Sequence, residues 1–408
     1  MSMQPQNPFQ KSGKRLIVYH TNWAMYDRKF NVRDIPIYYY SDINYAFVSL
    51  TMNDRGFYVP SLSDSWSDTD KRFTVADESV PPLDPPDNGQ PCKPGQYYGN
   101  FGQFRNLKTI NPAFSLGFSI GGWTLSKHFS TAVRTPETRQ AFVQGILDLL
   151  NQFPQLFDRV DIDWEHVSPA GENYGDEGNT THPKDGEHYG LFLQLLRSTL
   201  DSINHLRHVG ITACITGDPN RISALPLAIM AQTLTSINVM TYDYASSSWG
   251  PVAAGHHTNL FSTPYAPLSI HNIVEALLAR GVPANKIVIG AAFYSRGFAN
   301  TDGLSRPSSG TVPDQSWEAG LCDYLSLPRQ GAVEHWDDQA RATYSYDPVK
   351  KILNSYDSVQ SVTEKCKYVW DRGLQGIIVW ESSGDFNVSH PRSLSTALYH
   401  GLTRDPRQ

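Results

Sequence analysis

Short apolar runs recur along the chain, each set off by Gly, Pro or charged residues. Eight stand out: RLIVYH, INYAFVSL, FSLGFSI, RVDIDWE, VGITACI, INVMTYD, KIVIGAAF and GIIVWES. Their length and β-branched content predict buried strands. Between several of them the apolar spacing changes to three and four. TPETRQAFVQGILDLLNQF opens on a Thr-Pro-Glu start signal, and YGLFLQLLRSTLDSINHL and SIHNIVEALLARG share its period, the last closing on Gly281. Strand followed by helix, repeated eight times, predicts an α/β domain with a parallel sheet. Closed on itself, the sheet is a (β/α)₈ TIM barrel; an open doubly wound sheet is the alternative.

Two connections exceed plain loops. Residues 51–112 contain the Pro-, Gly- and Asp-rich DESVPPLDPPDNGQPCKPGQYYGN, and residues 299–345 carry Trp317, Tyr324 and Trp336. Long loops in compact domains are usually functional. The expected division is a polar tail at 1–14, a barrel built from 15–298 and 346–402, and a small subdomain inserted at 299–345 after the seventh strand.

Composition narrows the function. Of 408 residues, 40% are hydrophobic and 18% charged, as in a globular enzyme-sized protein. The net charge of −6, with no basic cluster, argues against a nucleic-acid partner. Aromatic residues reach 12%, enough to fill a core or to pave a sugar-binding cleft. Cys92, Cys214, Cys322 and Cys366 are widely spaced, with no CxxC pair to suggest a zinc ribbon or redox motif. Cys214 reads as a buried strand thiol. No apolar run approaches a membrane helix, and the opening MSMQPQNPFQKSGKR is no signal peptide as it stands. Asn179-Thr-Thr and Asn387-Val-Ser are glycosylation sequons, relevant only in a eukaryotic secretory host.

The chemistry gathers in FDRVDIDWEHV. Asp161, Asp163 and Glu165 alternate along the fourth run, so one strand face presents three carboxyl groups. Stacking like charges is costly unless it serves to hold a proton. In a barrel the active site lies at the C-terminal strand ends, which puts Glu165 at the rim with Asp163 and Asp161 beneath it. A protonated rim Glu is a general acid. Asp158 falls off this face by parity and reads as a structural residue at the strand's start.

Other patterns compete. GFSIG fits the G-x-S-x-G elbow of serine hydrolases, with Asp385 and His390 downstream in the right order. The residues after it read as a loop, whereas the elbow turns directly into a helix. His166, His182 and His188 cluster with Asp185 and Glu187, but no HExxH is present, and a polar loop is the favoured reading over a metal site.

DRVDIDWE has the form Asp-x-x-Asp-x-Asp-x-Glu and resembles the signature of family 18 glycoside hydrolases, the chitinases. RLIVYHTNW, INYAFV, SIGGW, VMTYDY, IGAAFYSRGF and GIIVWESSGD resemble other strands of that family in order. YGNFGQFRNLK and GHHTNL resemble bacterial chitinases of the chitinase A type. The resemblance spans residues 15 to 400. It implies that Glu165 protonates the glycosidic oxygen, that Asp163 positions the 2-acetamido group, and that Asp161 shares its proton or charge with the support of Tyr19 and Ser119. It implies that Tyr242 binds the acetamido carbonyl, with Asp243 and Met240 beside it, and that Trp380 forms the floor under the cleaved sugar. Trp123 becomes a stacking face on the leaving-group side, and Phe47, Arg296 and Trp249 further substrate contacts. Where the family often has Tyr-Gly-Arg, this chain has Tyr294-Ser295-Arg296. The implied substrate is chitin, hydrolysed outside the cell with no metal or cofactor. Docking on the crystalline polymer would fall to the barrel surface or a partner subunit. Alternatives are an endo-β-N-acetylglucosaminidase acting on N-glycan cores and a chitin-binding lectin or inhibitor, the latter at odds with the retained Glu165, Asp163 and Tyr242.

Overall fold

Each of the eight apolar runs forms a strand. They are β1 (Arg15–Thr21), β2 (Asp42–Met52), β4 (Ser115–Gly121), β5 (Arg159–Asp163), β6 (Gly210–Thr216), β7 (Ser236–Met240), β8 (Ile287–Ala292) and β14 (Gly376–Trp380), with β3 (Tyr58–Leu62) added as an antiparallel hairpin arm on β2. The sheet order β1-β14-β8-β7-β6-β5-β4-β2, closed by a β1–β2 pairing, makes a (β/α)₈ barrel. Burial on both faces explains why the strands read as continuous apolar runs. The structure, a computed structural model, describes residues 7–77, 84, 96–249, 252–312 and 316–405. The side chains of Ala170 and Trp249 lie outside that description, as does Cys92.

The chain packs as two compact units. One comprises Tyr19–Ile215 and Arg221–Ile237; the other comprises Met1–Val18, Thr216–Asn220 and Asn238–Gln408. In the first unit β2, β4, β5 and β6 pair in parallel, Ser119 opposite Asp161 and Asp161 opposite Thr212. Arg159 shares the inward parity of the acids and is buried at the strand's entry, paired with Asp42 and donating to Asn44 Oδ1 at 2.6 Å. Asp158 leaves that face, as its parity requires. It accepts from Lys108 Nζ at 2.6 Å and from Leu116 N at 2.8 Å, a structural role. The helix Pro136–Gln152 begins where Thr135 Oγ1 accepts from Thr138 N at 3.2 Å, and buries Phe142, Ile146, Leu149 and Leu150.

In the second unit β1, β14 and β8 pair in parallel. A five-stranded antiparallel sheet follows. Its strands are β9 (Tyr294–Phe298), β10 (Leu321–Asp323), β11 (Val333–Asp337), β12 (Ala342–Asp347) and β13 (Ile352–Tyr356). They lie in the order β10-β9-β13-β12-β11. The sheet runs beyond 299–345 at both ends, because β8 passes into β9 after one residue and β13 returns to pair with β9. Composition marks the irregular middle of this segment and misses its strand-forming edges. Ala254, Phe298 and Leu353 form its core. Within the expected tail, Pro8–Ser12 is a short helix with Phe9 buried edge-on to Tyr399. Cys214, Cys322 and Cys366 are buried and form no disulfide. No helix among the described residues is long and apolar enough to cross a membrane.

Candidate active site

β5 grades its acids from core to rim. Asp161 is 0% exposed and Asp163 3%, while the Glu165 side chain, two residues past the strand, is 14% exposed. Asp161 Oδ2 accepts from Tyr19 Oη at 2.6 Å and Ser119 Oγ at 2.7 Å, and its other oxygen accepts from Thr212. These donors come from β1, β4 and β6, so neighbouring strands satisfy a carboxyl group that burial alone would penalise. Tyr19 Oη also lies 2.9 Å from Cys214 Sγ.

Asp163 is treated differently. Its Oδ1 is buried with no hydrogen-bond partner among the described residues. Burial, then the Glu165 and Asp161 carboxyls, hold its carboxyl well above the usual carboxylate range. The stack therefore contains a carboxyl group built to carry a proton. Glu165 lies 3.6 Å from the His166 ring. Burial, then the Arg221 guanidinium, push that imidazole down to about 4, so it stays neutral and adds no cation beside Glu165.

SIGGW folds tightly around the acids. Gly121 has φ +110°, and an added Cβ would sit 2.2 Å from Asp163 O; at Gly122, φ +87°, it would sit 2.6 Å from the Phe47 ring. Only glycine fits both the backbone and the space. Phe47 is buried at a β2 register shift, its ring 6.3 Å from Tyr19 and 6.2 Å from Trp23. Trp123 is 46% exposed, its ring 6.2 Å from His166.

The second unit holds the remaining predicted residues. Met240 ends β7, Tyr242 follows two residues on, and Trp380 ends β14. Tyr242 packs over Gly290, where an added Cβ would lie 2.8 Å from its ring. Asp243 adopts φ +61° and receives a bidentate grip from Arg296, at 2.7 and 2.9 Å, and a bond from Tyr294 Oη at 2.8 Å. Burial alone would raise the Asp243 carboxyl, but Arg296 and His257 override it and hold it well below the usual range. Arg296 also reaches Glu318 at 2.6 Å. Ser295 turns inward to Asn354 and Cys322 O and leaves this grip intact. The Trp249 side chain lies outside the described residues.

Both competing motifs have structural explanations. Ser119 is buried inside β4 and donates to Asp161, so it is not an exposed nucleophile on a strand-to-helix turn. Asp385 accepts from Ser393, Leu394 and Ser395 and fastens the start of the helix Leu394–Thr403. Ligating atoms of His182, Asp185 and His188 lie within 4.8 Å of one another. However, Asp185 Oδ2 accepts from His182 N at 2.8 Å, and His182 Nδ1 accepts from Lys184 N at 3.1 Å. These bonds tie the turn that leads into the helix Asp185–Ser202, whose positive end disfavours a cation.

Sequence reasoning missed Thr212, Tyr294 and His257 as parts of these networks, and Ser126 and Asn179, whose side chains hydrogen-bond the Glu165 N–H and carbonyl. Thr212 and Cys214 alternate along β6 with the parity that aims them inward, a signal present in the sequence. Ser126 and Asn179 lie in loops, where no period speaks for them.

The sequence profile of Glycosyl hydrolases family 18 matches residues 15–385, a span that contains every barrel strand. Chitinase 1 of Aphanocladium album is 32% identical over 399 residues, covering 96% of this chain and 86% of that protein. Chitinase A1 of Niallia circulans is 29% identical and covers 99% of this chain, which spans 61% of that longer protein. Among solved structures, the catalytic domain of psychrophilic chitinase B from Arthrobacter TAD20 matches with a TM-score of 0.83 at 26% identity, covering 96% of each chain. A graded stack of acids on the fourth strand of a (β/α)₈ barrel, within a match this long, has one reading: the chain belongs to family 18 of the glycosyl hydrolases.

Proposed function

We propose that this protein is a chitinase that cleaves β-1,4-linked N-acetylglucosamine chains outside the cell, with retention of configuration and the substrate as its own nucleophile. The observation that carries this reading is the β5 gradient. Asp161 is saturated with hydroxyl donors, Asp163 is buried with a proton-holding carboxyl, and Glu165 alone of the three reaches toward solvent.

In this reading Glu165 donates its proton to the glycosidic oxygen as the bond breaks. The N-acetyl oxygen of the sugar attacks the anomeric carbon and forms an oxazolinium ion, the substrate-assisted exception among retaining glycosidases. Asp163 accepts a hydrogen bond from the acetamido N–H and offsets the charge that develops on the ring. A proton shared with Asp161 lets it change partner during the cycle. Tyr242 binds the acetamido oxygen, and the Asp243–Arg296 pair holds a fixed charge arrangement near it in sequence. Trp380 and Trp123 supply apolar faces to sugar rings. A well-oriented internal nucleophile has an effective molarity of roughly 10⁵ M or more, which removes the need for a protein nucleophile. Water then opens the ion, with Glu165 as base.

Chitin oligomers of defined length test this reading. Glu165→Gln is expected to keep oligomer binding and lose ~10²–10⁴-fold or more in turnover, the usual worth of a positioned acid. Near-normal turnover would remove Glu165 from its role. A lectin would bind the same oligomers and release no reducing ends. Mass spectrometry during turnover should find the enzyme unmodified and the product with retained configuration; a sugar bound to Asp163 would replace substrate assistance with a covalent route.

A further inference from the structure

Both polar groups of the Glu165 backbone are held by side chains from two different loops. The Glu165 N–H donates to Ser126 Oγ at 2.9 Å, and Ser126 in turn donates to Gly122 O at 2.8 Å. The Glu165 carbonyl accepts from Asn179 Nδ2 at 2.9 Å. Ser126 follows β4, whereas Asn179 closes the long loop that starts at Glu165 itself. That loop leaves the acid, turns and comes back to hold it.

The return is built, not incidental. Gly175 runs so close beneath that an added Cβ would sit 2.1 Å from Glu165 O and 2.4 Å from Asn179 Nδ2. Thr180 is tied to Lys127 O through its N–H at 3.0 Å and its hydroxyl at 2.8 Å, which joins this loop to the one carrying Ser126. Thr181 Oγ1 donates to Gly171 O at 2.7 Å. Asn179 Oδ1 is buried with no hydrogen-bond partner among the described residues, so the side-chain amide engages the fold through its nitrogen, in the bond to Glu165.

From this geometry we propose that Asn179 is a positioning residue for the acid, acting by fixing the Glu165 backbone and with it the direction of the carboxyl group. The proposal rests on the reading of Glu165 as general acid. Misplacing a reacting group by about 1 Å can cost ~10²-fold in rate. A single hydrogen bond contributes only modestly to stability. Loss of the amide should therefore cost far more rate than stability.

The test compares Asn179→Ala and the isosteric Asn179→Asp, which lacks the donor, on two substrates. One is a chitin oligomer, whose sugar leaving group needs protonation. The other is a dinitrophenyl glycoside of the N-acetylglucosamine dimer, whose leaving group departs without it. On the oligomer, kcat should fall ~10–100-fold with KM within about twofold, in keeping with a lost positioning interaction. On the dinitrophenyl substrate kcat/KM, which is set by bond cleavage before Glu165 serves as base, should barely change, and thermal unfolding should shift by only a few degrees. Equal losses of kcat/KM on both substrates would mean a general structural role and overturn the proposal. So would unchanged kcat on the oligomer. Full activity of Glu165→Gln on the oligomer would instead sink the assignment of the acid, an outcome these variants read separately.

Discussion

Asp161 shows what a single buried residue requires. Its two oxygens take three hydroxyl bonds from three strands, and no one of those donors stands out in the sequence. Thr212→Val keeps the shape and removes one donor from a buried carboxyl group. We expect it to destabilise the fold by about 1–3 kcal/mol in urea unfolding, the cost of leaving a buried polar atom unpaired. An unchanged urea midpoint would show that the remaining hydroxyls suffice. The acids themselves are legible, because a period of two in an apolar run is a strong signal and Asp158 falls off it. Their partners are less so. Ser119 and Tyr19 come through resemblance. The inward parity of Thr212 is readable but its partner is not, since a hydroxyl residue suits a strand whether or not it has a partner to serve. Asn179 is visible only as part of a sequon.

Among elements, strands and helices are readable where the apolar period is long. The helix Pro136–Gln152 begins one residue after its predicted Thr cap, and the helix Ile270–Ala279 is followed by Gly281 at φ +82°. Thr135→Ala removes a side-chain acceptor from the first turn and should cost about 1 kcal/mol in chemical unfolding, a typical worth for such a cap. No loss would mean that Pro136 alone sets the start. The antiparallel sheet is harder. Its strands are short and half polar, and Trp317, Tyr324 and Trp336 announce a packed insert without its edges. β8 and β9 are separated by a single residue, Phe293, so no compositional break marks the point where the chain leaves the barrel.

For the whole molecule, stability against pH combines carboxyl groups that pull in opposite directions. Asp68 is buried beneath Tyr45, Asn22 and Ser67; burial raises its carboxyl to about 6 despite the hydrogen bonds it accepts, which lower it. Its ordinary value is 3.8, so the folded state binds this proton more tightly than the unfolded chain does. The stabilisation it gives is complete below about 4 and is lost as pH rises through about 6, on the order of 2–3 kcal/mol. Asp68→Asn should flatten that part of the stability profile between about pH 4 and 7; a profile of unchanged slope would assign the effect elsewhere. Asp243, held low by Arg296, works in the other sense, contributing above its unfolded value and fading only in strong acid. The amide that ties Glu165 also bears on how the protein is made. The nitrogen of Asn179 that donates to Glu165 is the same atom to which an oligosaccharyltransferase would attach a glycan, and that attachment precedes folding. A glycan would leave one hydrogen on that nitrogen but set a bulky sugar on a half-buried atom packed against Gly175 and the Glu165 carbonyl. In a eukaryotic secretory pathway the sugar thus competes for space with the bond that aims the acid. Molecules that take the sugar would fold with a misdirected Glu165. Preparations from yeast or insect cells should then divide into an active unmodified fraction and a less active glycosylated one, while bacterial preparations should be uniform.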